Sequence, residues 1–134
     1  MLRHRFMIPV FLLFILGMII PAGGQTQPRV TLQVNIENEV KNGFFNHDRH
    51  ELRIRSSSYT LSPNGYLTMK RSKEDSLLYA VTVNFSQDMV NEEFYYQFVI
   101  TSNNRIIKED YERYVLIREQ PIEMYATSFY HLAF

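Results

Sequence analysis

Leu77-Leu78-Tyr79-Ala80-Val81-Thr82-Val83-Asn84-Phe85 and Phe94-Tyr95-Tyr96-Gln97-Phe98-Val99-Ile100-Thr101 are the two stretches that decide the fold. In the first, Tyr79, Val81, Val83 and Phe85 recur at every second position, and in the second Phe94, Tyr96, Phe98 and Ile100 do the same. Successive side chains of a strand point to opposite faces, so a period of two puts each set on one face of a half-buried strand. Tyr79 and Tyr96 belong to these inward sets and are expected in the core.

Working outward, Val30-Thr31-Leu32-Gln33-Val34-Asn35-Ile36 shows the same alternation, and after a polar stretch containing Asn42-Gly43 it resumes in Glu51-Leu52-Arg53-Ile54-Arg55. Residues 56–65 are rich in Ser, Pro, Asn and Gly and read as a loop. Tyr66-Leu67-Thr68-Met69-Lys70 reads as a short strand, residues 71–76 as a charged turn, and residues 113–118 and 122–130 as closing strands. No window sustains a helical period. Roughly six to eight short strands separated by polar turns predict an all-β, antiparallel β-sandwich. Each buried aromatic or branched aliphatic side chain contributes about 1.5–3 kcal/mol, so the inward sets of the first, fifth and sixth strands are expected to supply most of the stability.

The N-terminus speaks about location. Met1-Leu2-Arg3-His4-Arg5 is basic, residues 6–20 carry no charge and are nearly all apolar, and Pro21-Ala22-Gly23-Gly24 is a small-residue break. That order describes a secretory signal peptide over residues 1–24, cut near Gln25. An uncleaved anchor needs about 20 apolar residues to span a bilayer, and this run is shorter and broken by Pro9 and Gly17. Residues 25–134 are then a single domain, with no membrane span once the leader is removed. The chain has no cysteine. Disulfide and thiolate-metal chemistry are therefore excluded, and an exported protein without disulfides fits a periplasm or cell surface. With Arg3 and Arg5 gone, 12 basic residues face 14 acidic ones, so no basic stripe exists to bind nucleic acid.

Six segments carry a resemblance. Val30-Thr31-Leu32-Gln33-Val34, Gly43-Phe44-Phe45-Asn46-His47, Leu52-Arg53-Ile54-Arg55-Ser56, Tyr79-Ala80-Val81-Thr82-Val83, Tyr96-Gln97-Phe98-Val99-Ile100 and Arg113-Tyr114-Val115-Leu116 follow one another as the strands of starch-binding and glycogen-binding carbohydrate-binding modules do. The chain resembles that family over about residues 30 to 118. The resemblance implies an immunoglobulin-like sandwich and an α-glucan or other polysaccharide as ligand, with no catalysis and no cofactor. It also implies two stacking tryptophans, and this chain has none. The first would fall near Pro63; aligning the second segment on Arg113 puts Ile107 at the tryptophan, Lys108 at the family's acid and Glu112 at its asparagine. Neither Pro nor Ile offers the flat apolar breadth on which a sugar ring stacks. The family's glycan site is thus either lost or rebuilt.

A rebuilt site would draw on tyrosines. Tyr59 and Tyr66 flank the loop of the first missing tryptophan and Tyr111 lies in the segment of the second, with Asn64 and Asn104 as polar contacts; the alternative is that these tyrosines are ordinary rim residues. His47-Asp48-Arg49-His50 with Glu51 is a thin set for a metal, which needs three or four ligands in a fixed cage, and no metal site is expected. Glu109, Asp110 and Glu112 near Arg113 read as a solvated charged face rather than a glycosidase pair. No Gly-x-Ser-x-Gly elbow surrounds Ser56, Ser57 and Ser58, so no enzyme is expected. The segment Glu123–Phe134, rich in aromatic residues, reads either as a last strand zipped onto the sandwich or as a strand that docks onto a protein partner by β-addition. Two functions remain open: a sugar-binding module, or an envelope protein-interaction module that keeps the sandwich.

Overall fold

The computed structural model describes residues 27–61 and 64–130. The leader expected over residues 1–24, the Pro63 position and residues 131–134 of the C-terminal segment lie outside them. Elements run in the order β1 (Arg29–Asn35), α1 (Glu37–Lys41), β2 (Glu51–Arg55), β3 (Tyr66–Thr68), β4 (Lys70–Arg71), β5 (Leu78–Asn84), β6 (Glu93–Ser102), β7 (Arg105–Lys108), β8 (Arg113–Leu116), β9 (Ile122–Glu123) and β10 (Thr127–Ser128). They form two sheets. Sheet 1 has the order β10-β1-β5-β4 with β9 also on β1; sheet 2 has the order β3-β2-β6-β7 with β8 also on β6. The protein is an all-β sandwich.

Both deciding stretches follow their alternation with two exceptions: Val81 is only half-buried, and the out-of-phase Val99 is fully buried. On β1 the inward residues Val30, Leu32 and Val34 are buried, followed by Ile36; on β5 Tyr79 and Val83, followed by Phe85; on β6 Phe94, Tyr96, Phe98 and Ile100. β1 and β5 pair antiparallel along their whole length, from Arg29 opposite Asn84 to Asn35 opposite Leu78. The centre of the sandwich is a run of touching rings. Phe85 and Phe94 meet edge to face at 5.0 Å, Phe94 and Tyr96 stack at 5.5 Å, and Tyr96 meets Phe98 at 5.7 Å. Such pairs are worth about 0.5–1.5 kcal/mol beyond their buried area.

Before the C-terminal segment, three elements differ from the sequence expectation. The strand expected over residues 66–70 splits at Met69, which is buried and donates its N–H to Leu52 O at 2.8 Å. Before it, β3 pairs with β2 in sheet 2; after it, β4 pairs with β5 in sheet 1. One chain segment thus serves as a corner joining the sheets, as strands that switch layers do. The polar stretch after β1 holds the one-turn helix α1, too short for any periodicity to announce; Gly43 follows at φ +78°, the left-handed conformation that favours glycine. Finally, β7 returns along β6 through a tight hairpin in which Ser102 faces Arg105 across Asn103-Asn104.

The C-terminal segment closes the side of the sandwich. β9 and β10 lie parallel to β1, pairing Val30 with Ile122 and Val34 with Thr127. Only two short bridges form instead of a continuous strand, and between them Gln33 Nε2 donates to Met124 O at 2.9 Å. Phe129 is buried in the core. Among the described residues no helix is long and apolar enough to cross a membrane.

Candidate functional site

Sheet 2 has an inner face that makes the core and an outer face that does not. Because Leu52, Ile54, Phe98 and Ile100 point inward, the residues between them point outward, and cross-strand pairing sorts these into rows. Tyr95 of β6 lies opposite Tyr114 of β8. The next row sets Tyr66 of β3 beside Arg55 of β2 and Gln97 of β6. A third sets Thr68, Arg53, Val99 and Lys108 side by side, and a fourth Glu51, Thr101 and Ile106. This surface mixes tyrosines, cations and hydrogen-bonding side chains.

The tyrosine pair is its most prominent feature. The Tyr95 and Tyr114 rings lie 5.8 Å apart at 41° to one another, and Tyr114 is 63% exposed. Several bonds hold Tyr95 in place. Its N–H donates to Ser58 Oγ at 2.9 Å, its carbonyl accepts from Ser56 Oγ at 2.6 Å, and its hydroxyl donates to the Glu93 carboxylate. The Glu93 hydrogen bond, reinforced by that carboxylate's charge, pushes the Tyr95 phenol above its ordinary pKa. The serines after β2 thus act as structural clasps on β6, and Ser57 Oγ donates to Glu112 at 3.0 Å across the same end. At the other end, Arg49, Arg53, Tyr66, Thr101 and Asn103 line a shallow groove. The Arg53 guanidinium stands 5.9 Å from the Tyr66 ring centre and is bonded to Glu51.

The sequence-selected residues are distributed as follows. Tyr66 lies on the outer face, and Asn64 beside it accepts the Tyr66 N–H at 3.4 Å. Asn104 is exposed in the β6–β7 hairpin, next to the groove residue Asn103. Tyr59 is half-buried and packs on the core instead, its ring 5.0 Å from Phe85 and 6.4 Å from Phe94. Tyr111 is exposed but belongs to the C-terminal closure, 4.9 Å from the Tyr130 ring and 5.6 Å from the Arg113 guanidinium. The missing-tryptophan argument does not reach Tyr95 and Tyr114. The signal available was their parity, since Tyr95 is out of phase with Phe94, Tyr96 and Phe98.

Of the acidic cluster expected as a solvated face, Asp110 and Glu112 are exposed but Glu109 is not. The Glu109 side chain is fully buried (0% exposed) against Arg113. The reason lies in the ladder: β8 pairs with β6 as far as Tyr96, and β7 begins at Val99. The Glu109 carboxylate fills the gap, accepting the Phe98 N–H at 3.1 Å and the Tyr130 N–H at 2.9 Å. Arg113 donates to it through Nε and Nη2, and also to Thr127 Oγ1 and Ser128 O of β10. One ion pair therefore ties sheet 2 to the edge of sheet 1. Burial works against the Arg113 charge, and the Glu109 carboxylate more than offsets it, so the Arg113 pKa is raised. Glu39 of α1 is also buried, and its pKa is raised, first by burial and then by the Glu109 charge, against a lowering contribution from its own backbone N–H.

The histidines likewise serve the frame. His47 Nδ1 is 2.7 Å from the Tyr79 hydroxyl and the two rings stack, while His50 Nδ1 accepts the Asn46 N–H at 2.9 Å. Burial, then the Arg71 charge, lowers the His47 pKa, which favours the neutral ring. Among the described residues no three His, Asp or Glu side chains gather as a metal cage. No family model matches this chain, and no curated protein matches it either.

Proposed function

We propose that this chain is an exported, non-catalytic glycan-binding module that presents the outer face of sheet 2 to a polysaccharide. The single observation that carries this reading is the Tyr95–Tyr114 pair on the outer face of sheet 2, Tyr114 exposed and Tyr95 half-buried beside it, with Tyr66 two strands away. Tyrosine rings held by the backbone offer flat apolar area at little entropic cost, and their hydroxyls can bond to sugar or water. This is the breadth that Pro63 and Ile107 do not supply. The resemblance to starch-binding modules names polysaccharide as the ligand class, with α-glucan the member it implies. Binding without catalysis fits the acids as well, because Glu109 is committed to Arg113 and two backbone N–H groups. Affinity electrophoresis through gels containing amylose and other plant and bacterial polysaccharides tests the reading. At least one should retard the chain, and Tyr114→Ala should release it; no retardation by any of them would refute the proposal.

A second reading, a protein-interaction module, has one observation in its favour. Tyr125, between β9 and β10, is 95% exposed on the closing segment. Deleting residues 123–134 would be an uninformative test, because Thr127, Ser128 and Tyr130 bond to the Glu109–Arg113 pair. Tyr125→Asp leaves those contacts in place. A change in size-exclusion mass or partner capture caused by that substitution would favour this reading.

A further inference from the structure

Charge is unevenly spread over the proposed face. Arg53 and Arg55 are alternate residues of β2 and so stand about 6.8 Å apart along the strand. Lys108 shares the row of Arg53, and Arg49 lies at the groove end. Val99, between Arg53 and Lys108, points outward yet is fully buried. It has to be roofed by its neighbours, and the two directly across from it are these long basic side chains. Cationic stems lie along apolar surface in this way while their heads stay in water. Among the described residues the ion pairs join Lys41 to Glu37, Arg53 to Glu51 and Arg113 to Glu109. Arg49, Arg55 and Lys108 are in none of them. The acids of this face, apart from Glu51, lie at the tyrosine-pair end, one row beyond Arg55: Glu93 bonds to Tyr95, and Glu112 to Ser57. Residues 25–134, with 12 basic and 14 acidic side chains, therefore have one cationic field beside a tyrosine platform.

We infer that the polysaccharide taken by this face is acidic, carrying a repeated anionic group, carboxylate or sulfate ester, rather than the neutral α-glucan that the resemblance implies. The inference rests on the glycan-binding reading and specifies its ligand. The tyrosines stack on ring faces, and Arg55, Lys108 and Arg49 meet the charges that recur along the chain. Guanidinium groups suit this role because their planar donors can grip a carboxylate by two parallel bonds. Aligned cations also act jointly over the screening distance of about 10 Å at 0.1 M salt.

The test compares ligands that share a backbone and differ in charge. The purified chain is run in affinity electrophoresis against polygalacturonate and its full methyl ester, dextran sulfate and dextran, amylose, and polyglutamate as a polyanion without rings. The expected result is at least tenfold stronger retention on a charged glycan than on its neutral partner, weakening as salt rises. Arg55→Gln with Lys108→Gln should abolish the difference while the chain still unfolds in a single cooperative transition. Tyr114→Ala should weaken retention with no change of charge. A difference only for polygalacturonate assigns carboxylate, and one only for dextran sulfate assigns sulfate; both support the inference. Equal retention on the methyl ester or on amylose overturns it while leaving glycan binding intact. Equal retention on polyglutamate overturns it as bare polyanion attraction. Retention on none of them overturns the inference and the glycan reading together.

Discussion

Tyr95 and Tyr96 are neighbours on one strand, and their surroundings have almost nothing in common. Tyr96 points between the sheets, stacked on Phe94 and touching Phe98, and is nearly inaccessible. Tyr95 points away from the core, beside Tyr114 and bonded to Glu93. Both phenols are pushed above their ordinary pKa, Tyr96 chiefly by burial and Tyr95 chiefly by its hydrogen bond to a carboxylate. The inner face of sheet 2 contributes stability, and the outer face is the one proposed for recognition. A pleat separates the two roles by one residue, so substitutions on either side of it should fail in different assays.

The largest effect should come from the inner face. Phe98→Ala removes a fully buried ring that also underlies the Arg113 guanidinium at 5.3 Å, and should cost about 3–5 kcal/mol in urea unfolding. A loss below about 1 kcal/mol would mean that the core can collapse around the gap and that the two faces are less distinct than described. Next is the bridge between sheets. Glu109→Gln keeps the volume but leaves Arg113 without its counter-charge, and should cost about 2–3 kcal/mol. It should also speed hydrogen exchange at Phe98 and Tyr130, whose N–H groups the carboxylate accepts. The outer face should behave in the opposite way. Tyr114→Ala should change stability by no more than about 0.5 kcal/mol while weakening polysaccharide retention by about tenfold. A mutant that melts early and still binds would reverse the proposed assignment of the faces.

The smallest effect is a pH dependence. Glu39 has a folded-state pKa raised above its ordinary 4.5, so the native state holds that proton more tightly than the unfolded chain. Its contribution is fully present below 4.5 and is lost as pH rises through the folded value. Glu39→Gln should flatten the stability profile above pH 4.5 and leave the neutral-pH protein more stable than wild type. Urea midpoints measured from pH 4 to 7 check this, and an unchanged slope would count against it.

Alternation alone placed Val30, Leu32, Val34, Tyr79, Val83, Phe94, Tyr96, Phe98 and Ile100 correctly in the core. It could not foresee the corner at Met69, because the side-chain period is the same whether a strand stays in its sheet or crosses to the other. Nor could it find β7, whose four residues include two consecutive isoleucines with no clear phase. Of the tyrosines chosen because they flank missing tryptophans, Tyr66 lies on the outer face, whereas Tyr59 packs on Phe85 and Tyr111 on Tyr130. Loop proximity in sequence carries no orientation.

The sequence by itself determined that this chain folds as two pleated layers, because a strand's side-chain direction is a local property of the backbone and its hydrophobic phase can be read residue by residue. Only the tertiary structure decided that Glu109 is a buried bridge instead of a solvated acid, and that Tyr95 and Tyr114 stand together with Arg53, Arg55 and Lys108 on one face. Those outcomes depend on which strands lie side by side and where a ladder is left open. Both are set by contacts between residues far apart in the chain, to which local periodicity is blind.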